Sequence, residues 1–122
     1  MRRLGPPVAF PSLMICFSLR IVVAPSKQRD LLASLGSLLA PTRVQPDCLS
    51  ARLLVDAGDE NSVTLIQEWA TRLQLDRYLG SDSGRLLLEA MESSSVAPEV
   101  RFDTIRQRDG MKVFAQARSQ HG

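Results

Sequence analysis

Residues 48–79 read CLSARLLVDAGDENSVTLIQEWATRLQLDRYL, and the fold turns on how this stretch divides. From Cys48 to Asp56, Leu49, Ala51, Leu53 and Val55 alternate with Ser50, Arg52 and Asp56, the period of a strand with one covered face. Ala57-Gly58-Asp59-Glu60-Asn61 has the composition of a turn. From Ser62 to Ala70, Val63, Leu65, Gln67 and Trp69 form one row, and Thr64, Ile66, Glu68 and Ala70 the other. Two such runs around a Gly-containing loop predict an antiparallel hairpin. Thr71-Arg72-Leu73-Gln74 fits a capping box, so the second strand feeds a helix running to about Leu79.

Upstream, Met14 to Val23 (MICFSLRIVV) has the β-branched and apolar content of a central strand. Pro25 breaks it and Ser26 is a candidate N-cap. Leu31, Leu32, Leu35, Leu38 and Leu39 then make one apolar stripe of a helix over 27–39, which Pro41 ends. Downstream, a helical segment over 84–91 carries Leu86, Leu87, Leu88 and Met91. A serine loop with Pro98 leads to a fourth strand over 100–107, and residues 111–118 form a short helix or tail. The order is β-α-β-β-α-β, which predicts an α+β, ferredoxin-like domain: an antiparallel four-stranded sheet with helices on one face. We expect one domain over 13–118, a loose extension at 1–12 and a tail at 119–122. Leu54, Ile66 and Ile105 lie on the opposite row from Leu53, Leu65 and Phe102. A sheet apolar on both faces calls for a partner or a ligand cavity.

The composition narrows the function classes. The chain of 122 residues is 44% hydrophobic and 23% charged, ordinary for one folded domain. Its net charge of +2 comes from 15 basic and 13 acidic residues, without a basic stripe, so no nucleic-acid partner is expected. No stretch reaches the roughly 18–20 apolar residues of a membrane span. Arg2, Arg3 and the apolar residues after them loosely imitate a secretory signal, but Pro6, Pro7 and Pro11 interrupt the run. A cytoplasmic location with free thiols at Cys16 and Cys48 is expected. A metal held at about 2.0–2.3 Å needs three or four ligands. One histidine, His121, near the C-terminus and two separate cysteines do not supply them, so no metal is expected.

The residues CLSARLLVD, then NSVTLIQEWATRLQLDRYL, resemble the antibiotic biosynthesis monooxygenase family, which includes quinol monooxygenases. Cys48, Leu49 and Ser50 match the opening of strand two. Glu68 and Trp69 match the "EEW" ending strand three, and Leu75 and Asp76 match an "LDxH" helix element. Resemblance extends from about Met14 to Arg118. It implies a homodimer with sheets packed face to face and a pocket between sheet and helices in each protomer. It also implies cofactor-independent oxygenation of a small aromatic, quinol- or anthrone-like substrate. A deprotonated electron-rich phenol can itself reduce oxygen, so the protein need only bind it, assist proton removal and exclude water.

The resemblance makes Trp69 and Tyr78 the candidate catalytic residues, with Trp69, Leu65, Gln67 and Leu19 lining the substrate pocket. The chain departs from the family at Tyr78, where histidine is common. A tyrosine, with a reference pKa near 10, is a weak base but can donate or relay a hydrogen bond. A non-catalytic, dimeric ligand-binding or regulatory module is the alternative that this departure raises. Trp69 could equally be a core or interface tryptophan. Arg52, Glu68 and Arg101 read as solvated or rim charges, Asp76 as a helix-surface carboxylate, and His121 as a tail residue. Cys48 has no histidine beside it to activate it as a nucleophile.

Overall fold

β1 (Met14–Val22) is the spine of the molecule, hydrogen-bonded on both sides. The structure, a computed structural model, describes residues 13–121, so the expected extension at 1–12 and Gly122 lie outside the described residues. After β1 come a 3₁₀ turn at Pro25–Lys27, α1 (Gln28–Gly36) and α2 (Leu39–Arg43). β2 (Cys48–Asp56) and β3 (Asp59–Trp69) follow, then α3 (Arg72–Leu79), α4 (Asp82–Glu92), β4 (Glu99–Ile105) and α5 (Met111–His121). The four strands form one antiparallel sheet in the order β2-β3-β1-β4. This is the α+β, ferredoxin-like arrangement expected from the sequence.

The register sets the two faces. Ile15, Phe17, Leu19 and Ile21 of β1 lie opposite Trp69, Gln67, Leu65 and Val63 of β3, and this double row is buried. α1, α3 and α4 close over it with Leu31, Leu35, Leu75, Tyr78 and Leu87. The helices do not cover β4 fully. Phe102 stacks on Phe17 with centroids 4.9 Å apart, yet remains 43% exposed.

The other face is mixed. Leu54, Ile66 and Ile105 do point there, but the central strand offers Cys16, Ser18 and Arg20 between them. Arg20 pairs with Asp56 and Glu99, and Arg101 with Asp103. The expectation of a broadly apolar second face is therefore corrected to apolar patches among charges.

Local departures have physical reasons. The 27–39 helix is split, because the chain kinks at Ser37-Leu38 and restarts as α2. Pro41 sits in the first turn of α2, where its missing N–H has no helical acceptor to lose. Ser26 is not a cap; the 3₁₀ turn starts from Ala24 and no side chain bonds its end. The hairpin turn shrinks to Ala57-Gly58, with Asp56 opposite Asp59. A register shift between Cys48 and Ser50 leaves Leu49 outside the alternation and 56% exposed. Thr71 caps α3 as expected, its hydroxyl accepting from the Gln74 amide at 3.3 Å. α4 begins earlier than expected, with Ser81 as its N-cap residue, and α5 continues to His121.

Candidate functional site

Trp69 ends β3 with its side chain turned toward the helices. A two-residue step along the strand puts Gln67 beside it on the same face. The indole Nε1 donates to Gln67 Oε1 at 2.9 Å. An indole nitrogen can only donate, so this bond fixes which end of the amide is oxygen. Gln67 Nε2 is then aimed at Tyr78 of α3 and donates to its hydroxyl at 3.1 Å. On the far side, the Tyr78 hydroxyl lies 3.0 Å from Thr42 Oγ1, delivered by α2. With one lone pair taken by Gln67, the phenol proton is free to point at Thr42 or at a ligand oxygen. Four polar side chains from three elements thus form one chain, indole to amide to phenol to threonine, inside an apolar core. Each bond contributes about 0.5–1.5 kcal/mol net, and leaving a member unpaired costs about 1–3 kcal/mol.

The structure brings Trp69, Tyr78, Gln67, Leu65 and Leu19 onto one buried face, with the Trp69 and Tyr78 rings 5.1 Å apart and tilted by 42°. It also closes them in. Trp69 is 0% exposed, Leu19, Leu65 and Gln67 each 1%, and Tyr78 4%. A cavity of about 420 Å³ lies elsewhere, between α1 and α4, with Leu31, Leu35 and Leu38 along one side and Leu86 and Ala90 on the other. None of the five expected site residues lines it. Thr42 is the member that sequence reasoning missed. A buried threonine in a five-residue helix leaves no periodic signal to find it by.

The remaining candidates separate cleanly. Glu68 faces away from the helices, accepts from Ser50 Oγ at 2.8 Å and pairs with Arg108. Its side chain is 16% exposed, a rim charge and not a fully solvated one. The Arg108 guanidinium, helped by the Ser50 hydroxyl, holds its carboxyl below the usual range. Asp76 pairs with Arg72 on the surface of α3, as a helix-surface carboxylate should. Cys16 and Cys48 are free and half-buried, on opposite faces of the sheet. Burial, with the Glu68 and Asp103 carboxylates, raises Cys16, and burial raises Cys48, so neither is an activated thiolate. Among the described residues no group of three or more His, Cys, Asp or Glu could hold a metal ion. No helix among them is long and apolar enough to cross a membrane.

The sequence profile of the antibiotic biosynthesis monooxygenase family matches residues 14–87, from β1 into α4. The chain belongs to the antibiotic biosynthesis monooxygenase family. The match contains Trp69, Gln67, Tyr78 and Thr42, and leaves β4 and α5 outside. Solved structures show the same fold. An antibiotic biosynthesis monooxygenase superposes with a TM-score of 0.66 at 23% identity, over 73% of this chain and 95% of that one. PA3566 of Pseudomonas aeruginosa gives 0.67 at 22%, covering 81% and 98%. Rv0793 of Mycobacterium tuberculosis gives 0.66 at 21%, covering 80% and 97%. A search of curated protein sequences gave no significant match. Family membership supports a monooxygenase-like or small-molecule-binding role.

Proposed function

We propose that this chain is a cofactor-independent monooxygenase for a small quinol- or anthrone-like aromatic. It works as a homodimer whose sheets face each other. The observation that carries the reading is the Trp69–Gln67–Tyr78–Thr42 chain, a polar device built into a core where leucines would have packed at lower desolvation cost. In this reading the Tyr78 hydroxyl, oriented by Gln67, donates to the oxygen of a bound phenol and favours its anion. Trp69 supplies an aromatic wall. The anion passes electrons to dioxygen; one oxygen atom enters the product as a carbonyl and the other leaves as water. The closed packing excludes bulk water, so substrate must enter by displacing side chains above Tyr78.

Oxygen uptake with a panel of quinols and anthrones tests the reading. The wild type should consume oxygen, and Tyr78→Phe should lower turnover about 10- to 100-fold, the loss of one hydrogen bond to a charged oxygen. A folded wild type inert across the panel would sink it.

The tight closure around Tyr78 favours a second reading, a dimeric binding or regulatory module of the same fold that does no chemistry. Thermal stabilisation by aromatic ligands without oxygen consumption would select it. Tyr78→His would then separate a lost group from a lost pocket, because quinol oxidation gained by this one change means the pocket kept its shape.

A further inference from the structure

From Ala40 to Asp47 every residue is exposed except Thr42. The buried residue of α2 is therefore a polar one, with Leu39 half-buried at the start of the helix. A segment seated by little apolar burial opens at low cost. This one rests on the core through the 3.0 Å bond between Thr42 Oγ1 and the Tyr78 hydroxyl. We propose that α2 is the gate to Tyr78. It swings out to admit a ligand, and the ligand's oxygen then takes the place that Thr42 Oγ1 holds in the closed state. The gate rests on the reading of Tyr78 as the group that meets the ligand.

The strap has two fixed ends and a latch. Before α2, Leu38 is buried in the core. After it, Asp47 adopts the left-handed region at φ 65° and is pinned there. Its carbonyl accepts from the Ala70 amide at 2.8 Å and its carboxylate from the Thr71 hydroxyl at 2.9 Å. Between these ends, Arg43 Nε and Nη2 both donate to the Ala51 carbonyl oxygen, at 3.0 and 2.9 Å. Ala51 lies across from Gln67 in the β2–β3 pairing, so the latch closes beside the amide that orients Tyr78. Charged donors make the stronger hydrogen bonds, which suits a latch with little packing behind it. Other routes are poorer. The cavity between α1 and α4 is lined by none of Thr42, Gln67 and Tyr78. α3 is seated by the buried Leu75 and carries Tyr78 itself, so lifting α3 would remove the hydroxyl along with its cover. Moving α2 uncovers that hydroxyl and leaves Tyr78, Gln67 and Trp69 in place.

Tyr78 is the chain's one tyrosine, so its nitration by tetranitromethane reads access to the site without background. The full-length wild type should nitrate slowly. Arg43→Ala, an exposed substitution that releases the latch, should nitrate about tenfold faster or more. Arg85→Ala, which breaks an exposed ion pair on α4, should keep the wild-type rate. Hydrogen exchange locates the opening. In Arg43→Ala the Thr42 amide, bonded to the Leu38 carbonyl, should exchange faster by a similar factor while the β1 amides hold their wild-type rates. Nitration unchanged in Arg43→Ala would overturn the gate. So would equal acceleration in β1 or in Arg85→Ala, since the opening would then be global. Neither readout needs turnover. Faster nitration in a protein inert toward quinols and anthrones sinks the proposed chemistry and keeps the gate, whereas turnover with unmoved nitration does the reverse.

Discussion

The Gln67 amide stands between a ring that can only donate and a hydroxyl that can do either, so its orientation is decided by chemistry. Gln67→Leu keeps most of the volume but strips Trp69 Nε1 of its acceptor and Tyr78 of its donor. We expect about 2–3 kcal/mol of stability lost in urea denaturation, against a smaller additional loss when Trp69→Phe is already present. Additive losses would show that the indole and amide are not coupled. At this scale the sequence was partly legible. Trp69 and Gln67 share a row that alternation exposes, and Tyr78 occupies the position of a recognisable helix element. Thr42 had no comparable marker. Nor could a pattern of residue types say that the space around Tyr78 is closed, because closure depends on how side-chain volumes meet.

Elements meet where there is no room for more atoms. Gly84, in the first turn of α4, lies against the end of α3, and a Cβ there would collide with the Leu79 backbone carbonyl. Gly84→Ala must therefore push α3 and α4 apart. It should cost about 3 kcal/mol or more, at the upper end of overpacking penalties, and disturb Tyr78 through α3. Circular dichroism melts would show it; a midpoint within a degree of wild type would mean that the helices re-seat freely. Ordinary reasoning about glycine in helices would expect alanine to stabilise this position. The sequence located β1, the hairpin and α3 well because periodicity and capping are local. It missed the break between α1 and α2, where Pro41 looked like a stop and serves as a first-turn residue.

At the scale of the molecule, the contact between Arg108 and Glu68 ties the segment before α5 to the sheet. Glu68 has a folded pKa below that of an unfolded glutamate, so the ionised carboxylate stabilises the folded state. That contribution is fully present above the ordinary glutamate value of about 4.3 and is lost as pH falls through the depressed folded value. Glu68→Gln should therefore melt below wild type at neutral pH, and the gap should close as the pH falls below the ordinary glutamate range and through the depressed folded value. A constant difference across that window would put its cause elsewhere.

β4, one of the two edge strands, pairs with β1 along one side only, and Glu99, Arg101 and Asp103 alternate along it. Its outer backbone groups could recruit another extended chain, while its ionic side chains make such stacking unfavourable. These charges thus serve solubility as well as local pairing. Arg101→Val with Asp103→Val would replace the guard with β-formers beside the exposed Val100 and Phe102. Warmed below its melting temperature, that variant should bind thioflavin T and scatter light where the wild type stays clear.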